Sequence, residues 1–208
     1  MSDEIKKAFY HSFRQSVMQR GVIIYWFYVI VLLFFVGGIL VTPFLASNED
    51  KNADALYDAY SYTCHQKLSR SVCLFKNSNA TELGDCIPQT GEKIKLDYEK
   101  IVMRTDGMIG YKFPVCSRDI GIYVFMLLAA FVYPFLFKPG EKRILPPVLL
   151  IAAIIPLAFD GGLQLISEFG WFGLTYESTN IIRLITGGIA GAAVTFYLLP
   201  IANRMFGE

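Results

Sequence analysis

The chain lacks a zinc-knuckle spacing, a charge excess and a repeat, and each absence excludes something. Its 208 residues contain four cysteines and two histidines, but no Cys-x-x-Cys or His-x-x-x-His pair, the usual signature of a structural zinc site. Net charge is +1, so bulk charge argues for neither nucleic acid nor an acidic partner. No repeat or low-complexity tract is visible. A cleavable signal peptide is not expected either. The first apolar run, residues 22–46, holds 25 residues without a charge, whereas a signal core has about 7–15 and a small-residue cleavage site after it.

Apolar residues are abundant instead. They make up 54% of the chain, above the roughly 45–50% of an ordinary soluble domain. Four long apolar stretches stand out: residues 22–46, 120–137, 144 to about 166, and 181–202. Each is near the roughly 20 residues that a helix needs to cross a bilayer. The expected fold is therefore an all-α integral membrane protein. Residues 1–21 form a cytoplasmic leader, 22–46 the first span, 47–118 an extracytoplasmic α+β insert, and 119–203 the bundle of spans two to four. Orientation follows from Lys6, Lys7, Arg14, Arg20, Lys138, Lys142, Arg143 and Arg204, which fall on one side. Residues 167–180, on the other side, carry no Lys or Arg. The positive-inside rule then puts both termini in the cytoplasm of a multi-pass cell-membrane protein.

Within the insert, Leu56, Tyr57, Tyr60, Cys64 and Leu68 recur at helical spacing, which predicts an amphipathic helix over residues 53–74. Residues 93–98 alternate like a strand. Thr105-Asp106-Gly107 signals a turn in a hairpin running to Phe113. Asn79-Ala80-Thr81 is a glycosylation sequon. All four cysteines lie in or beside this insert, which fits disulfides formed in an oxidising exterior. Three pairings are open; the preferred one is Cys73–Cys86 with Cys64–Cys116. A metal site and a redox-active pair are the competing readings. No metal ligand set is assigned, and no cofactor is indicated.

Polar residues gather where the spans meet the insert. Asp160 closes the apolar stretch 144–159, and Gln164 shares its helical face at i, i+4. Such groups are costly in hydrocarbon and face protein or water. On the same side lie Cys116-Ser117-Arg118-Asp119, Glu177-Ser178-Thr179-Asn180 with Arg183, and Cys64-His65-Gln66 with Arg70. The plain reading is an Asp160–Arg183 pair that fixes helix register, with Arg118 capping or snorkelling and Ser178 or Thr179 capping a helix. The other reading is a pocket. Gly187 and Gly191 form a small-xxx-small face for close helix packing.

These motifs resemble an uncharacterised family of small prokaryotic membrane proteins, catalogued as a domain of unknown function and common in archaea and bacteria. The motifs that carry the resemblance are Cys64-His65-Gln66 with Arg70-Ser71, Cys116-Ser117-Arg118-Asp119 with Ile120-Gly121-Ile122-Tyr123, Asp160-Gly161 with Gln164, and Glu177-Ser178-Thr179-Asn180 with Arg183 and Gly187. They run from about Tyr60 to Gly191. The resemblance implies a multi-span membrane protein and no established activity. Many members look like Cys-x-Arg-Cys where this chain has Asp119. A metal held by both thiolates in those relatives would here have lost one, with Asp119 as an oxygen substitute. The stretch carrying Cys73 and Cys86 looks like an added loop.

Three functions compete. The first is an enzyme on a lipid or lipid-linked substrate, with Asp160, Asp119 or His65 as acid or base and Arg118, Arg183, Gln164 and Asn180 binding a phosphate or carboxylate. The second is a structural or assembly subunit with a helix-locking ion pair. The third is metal or ion binding through Asp160 and Gln164, joined by Cys64 and His65. Expected partners are membrane lipids, with a homo-oligomer or a membrane complex open and nucleic acid excluded.

Overall fold

The computed structural model describes residues 3–64, 67–77, 80–86, 100–104 and 107–207. Five α-helices and four strands follow in the order α1 (Asp3–Ser47), α2 (Asn52–Ser61), β1 (Val72–Lys76), β2 (Thr81–Asp85), β3 (Ile101–Met103), β4 (Ile109–Lys112), α3 (Ser117–Leu136), α4 (Pro147–Glu168) and α5 (Asn180–Phe206). Four segments are long and apolar enough to span: Arg20–Ser47, Ser117–Leu136, Pro147–Glu168 and Asn180–Phe206. The protein is thus a mostly helical membrane protein with a small sheet between its first and second spans. The leader is not a separate piece, because α1 runs through it into the first span without a break.

Glycines set the closest helix contact. A methyl group on Gly121 would strike the Leu184 carbonyl, one on Gly187 the Arg118 carbonyl, and one on Gly191 the Ile122 carbonyl. The small-residue face of α5 therefore packs on α3, backbone against backbone. Buried polar contacts extend this seam: Thr195 donates to the Met126 carbonyl at 3.1 Å, and Tyr25 of α1 donates to the Ala130 carbonyl at 3.0 Å. Helix α4 is built the other way round. Its only buried residues are Asp160 and Gln164, while Val148, Ile151, Ile155 and Phe159 are exposed. A helix that turns its polar residues inward and its apolar ones outward suits lipid, not water.

The two ends of the bundle differ. At one end Gly21 lies against Gly140, Asn203 Nδ2 donates to the Pro139 carbonyl at 2.7 Å, and Arg204 Nε donates to the Lys142 carbonyl at 2.8 Å. The insert sits at the other. Its strands pair antiparallel in the order β2-β1-β4-β3, with Leu68, Cys73, Phe75, Cys86 and Met108 packed together. A second cluster of Ile39, Tyr60, Leu74, Phe113 and Val115 docks the insert on α1, where Tyr60 donates to the Phe35 carbonyl at 2.5 Å.

One expectation changes here. The helix over 53–74 stops at Ser61, because the Thr63 and Cys64 amides and the Thr63 hydroxyl all turn back to the Tyr60 carbonyl. Val72 to Phe75, β-branched and aromatic at either end, then pair into the sheet instead. The hairpin does form, as β3–β4, with Gly107 at φ +83° in its turn. Residues 93–98, the sequon's Asn79 and the turn residues Thr105 and Asp106 lie outside the described residues.

Candidate functional site

Asp160 is 4% exposed, and both its oxygens are engaged. Arg118 Nη2 donates to Oδ2 at 2.5 Å, and the Tyr176 hydroxyl donates to Oδ1 at 2.8 Å. The glycine seam presents Arg118 to α4, since its backbone touches Gly187 and its guanidinium lies over Gly161. Tyr176 is held by its own amide, which donates to Ser167 Oγ at 2.8 Å. The hydrogen bond to Asp160 raises the Tyr176 phenol above its ordinary value, with burial second.

One turn along α4, Gln164 stands among three arginines. With its oxygen facing them it accepts from Arg70 Nε and Nη2 at 2.8 Å each and from Arg183 Nη2 at 2.7 Å. The donors select this orientation, because the reverse sets amide N–H groups against guanidinium N–H groups. Arg118 Nη2 lies 3.4 Å from the other amide atom. Arg70 also pairs with Glu168, which Lys67 approaches at 3.3 Å. Arg183 is 1% exposed, and Glu177, its ion-pair partner, is 3.8 Å away and half-exposed. Among the described residues, Arg183 Nε and Nη1 and Arg118 Nε have no hydrogen-bond partner. Three guanidinium groups thus converge on the Gln164 amide, with Asp160 the buried carboxylate among their acidic partners and Glu168 and Glu177 the exposed ones. Unused buried donors of positive charge suit an anion with several acceptor oxygens.

The thiols divide into two pairs. Cys73 and Cys86 are disulfide-bonded, with Cα atoms 4.9 Å apart. The second expected bridge is not formed: neither Cys64 nor Cys116 is disulfide-bonded. The Cys116 sulfur is turned to Asp119 Oδ2 at 3.1 Å instead, while its amide donates to Cys64 Sγ at 3.2 Å. Hydrogen bonding with Cys64 pushes the Cys116 thiol well above the ordinary thiol range, helped by burial and the Asp119 carboxylate.

Comparison with known proteins places the chain among predicted membrane proteins. The family model "Predicted membrane protein (DUF2085)" matches residues 101–197. An uncharacterized protein of the archaeon Methanocaldococcus jannaschii is 35% identical over 188 residues, covering 86% of this chain and 94% of its own length. The chain belongs to this membrane protein family. A second uncharacterized protein, from Methanothermobacter thermautotrophicus, is 36% identical over 88 residues, 42% of this chain and 71% of its own. No solved structure matches. The family match spans Arg118, Asp160, Gln164 and Arg183, so the whole α3–α4–α5 part of the site lies inside it.

Sequence reasoning found most of these residues but mispaired them. Asp160 bonds Arg118, not Arg183, because the glycine seam points Arg118 at α4. Asp119 sits with Cys64 and Cys116. Asn180 is already used: Nδ2 donates to Asp85 Oδ1 at 2.9 Å, and the Ser117 hydroxyl donates to its Oδ1 at 2.8 Å. Thr179, not Ser178, caps α5, accepting from the Ile182 amide at 3.3 Å. His65 lies outside the described residues. Tyr176 was missed, although it directly precedes the Glu177-Ser178-Thr179-Asn180 motif. Asp85 carried no signal at all.

Proposed function

We propose that the protein binds an anionic group, the phosphate or carboxylate of a lipid or lipid-linked molecule, at the extracytoplasmic edge of the membrane. The observation that carries this reading is Arg183. It is buried to 1% exposure, with Nε and Nη1 lacking hydrogen-bond partners among the described residues, beside Arg70 and Arg118 and the buried carboxylate of Asp160. An uncompensated buried charge is costly, several kcal/mol in the usual range, and a ligand oxygen at those two nitrogens removes the cost. The apolar outward face of α4 gives an acyl chain a surface to lie along. The orientation is supported by Lys138, Lys142, Arg143 and Arg204 at the end away from the insert, and by the Cys73–Cys86 disulfide within it.

Asp160 in this reading positions Arg118. Both its oxygens are occupied, so it is better suited to holding a guanidinium in place than to transferring a proton. The enzymatic reading therefore rests on His65 and Asp119 more than on Asp160. A structural lock is the second reading, favoured by the fact that α4 buries only Asp160 and Gln164. Purification of the full chain in a mild detergent with native lipids retained, followed by lipid mass spectrometry, tests the proposal. A phosphate- or carboxylate-bearing lipid retained by the wild type and lost from Arg183→Leu supports it. Equal retention by both, or no anionic lipid with either, overturns it.

A further inference from the structure

The anion site leaves one cluster unused. Cys64, Cys116 and Asp119 bring their sulfur, sulfur and carboxylate oxygen atoms within 4.8 Å of one another, each half-buried. Cys64 follows the end of α2, where its amide turns back to the Tyr60 carbonyl at 3.1 Å. Cys116 immediately precedes α3 and Asp119 lies in its first turn. The insert and the second span thus each contribute to one point, from positions 52 apart in sequence. From these residues we infer a binding site for a thiophilic divalent cation, zinc being the expected ion.

The geometry suits the ion. Zinc takes thiolate sulfur at about 2.3 Å and carboxylate oxygen at about 2.0–2.2 Å, so the edges of its tetrahedron are about 3.5–3.8 Å. Cys116 Sγ and Asp119 Oδ2, now 3.1 Å apart, open slightly and the remaining distances, none above 4.8 Å, close to reach that spacing. Two thiolates exclude magnesium and calcium, which take oxygen. Without an ion, Cys64, burial and Asp119 hold the Cys116 proton in place, and a bound cation displaces it. Cys116 occupies the N-terminal end of a long helix, whose dipole favours negative charge. The Cys116 amide already donates to Cys64 Sγ, the kind of N–H···S bond that supports a metal-bound sulfur. Binding releases both thiol protons to solvent. Three protein ligands leave the fourth position to water, and partial exposure lets the ion in from outside.

Cobalt(II) is the probe. The full chain in detergent, kept anaerobic under mild reduction that leaves Cys73–Cys86 closed as checked by peptide mapping, and titrated with cobalt, should take up one equivalent and show a thiolate-to-cobalt charge-transfer band. Cys64→Ser and Cys116→Ser should lose the band, and Asp119→Asn should shift the d–d bands. Zinc should displace the cobalt and bleach the spectrum. A reduced wild type without a charge-transfer band overturns the inference, whatever the folding of the variants. So does a band that persists in Cys64→Ser, or a Cys64–Cys116 disulfide found by peptide mapping of protein taken directly from membranes.

Discussion

Replacing Arg183 with Leu separates a ligand-binding arginine from a structural one. In a locked pair, deleting one partner of a buried ion pair costs about 3–5 kcal/mol. Arg183 is not such a partner. Its Nη2 hydrogen bond to Gln164 Oε1 at 2.7 Å is worth roughly 1.5–3 kcal/mol as a charge-assisted bond. The half-exposed Glu177 at 3.8 Å adds about 0–1 kcal/mol. Against these stand two buried nitrogens without partners among the described residues, Nε and Nη1, each costing about 1–3 kcal/mol. The terms nearly cancel, so ligand-free Arg183→Leu should lie within about 2 kcal/mol of the wild type. The difference comes with ligand. An anion at 100 times its Kd stabilises the wild type by about 2.7 kcal/mol, roughly 5–10 °C in Tm for a chain of this size. The variant should show no shift. Thermal unfolding in detergent, with and without a short-chain phosphatidic acid, measures both quantities. A loss of 3–5 kcal/mol without lipid, or an undiminished lipid shift in the variant, refutes the reasoning and restores the lock.

Asp160→Asn strips Arg118 of its charge partner and should destabilise by about 3 kcal/mol, the low end for a buried pair because Arg118 is partly exposed; the same thermal assay reads it. Gly187→Val drives a side chain into the Arg118 carbonyl and should cost about 1–3 kcal/mol while also weakening lipid retention, since it displaces Arg118. The double variant Cys73→Ser/Cys86→Ser should lose about 2–4 kcal/mol of insert stability, visible as faster limited proteolysis within residues 67–86. Tyr176 carries a pH effect. Its phenol is raised in the folded protein by donating to Asp160, so its contribution is full below the unfolded value of about 10 and fades as pH rises through the folded value. Tyr176→Phe should flatten that alkaline fall in Tm; an unchanged profile would show that Tyr176 does not cause it.

How much of this was legible in the sequence depends on the kind of information each feature needs. Spans need only length and composition, and all four were readable. The shared face of Asp160 and Gln164 needs only helical periodicity, and the two are the buried residues of α4. The small-residue face of α5 was visible as well, but not the helix it meets. That choice decides which arginine reaches Asp160. Because α5 packs on α3, the Arg118 backbone touches Gly187 and its guanidinium reaches over Gly161, while Arg183 is left to Gln164. Pairing across helices is set by rotation and depth, and periodicity within one helix contains neither. Arg70 and Asp85 were harder still. They arrive from a 3₁₀ turn, Leu68–Arg70, and from the end of β2. The sheet register that places them is fixed by contacts far apart in sequence.

The first turn of α3 joins the two proposed sites. Successive helical residues point about 100° apart, so four neighbours address different surroundings. The Cys116 amide meets Cys64 Sγ, Ser117 turns to Asn180, Arg118 to Asp160, and Asp119 back to the Cys116 thiol. The glycine seam fixes this turn from below, through the contacts of Gly187 with Arg118 and Gly121 with Leu184. A shift of α3 along α5 would therefore move the arginine and the thiol ligands together. Metal at Cys116 and an anion at Arg118 would each resist that shift, and each would favour the position that the other requires. Linkage makes such coupling reciprocal: if both proposals hold, zinc should tighten anion binding by the same factor as the anion tightens zinc.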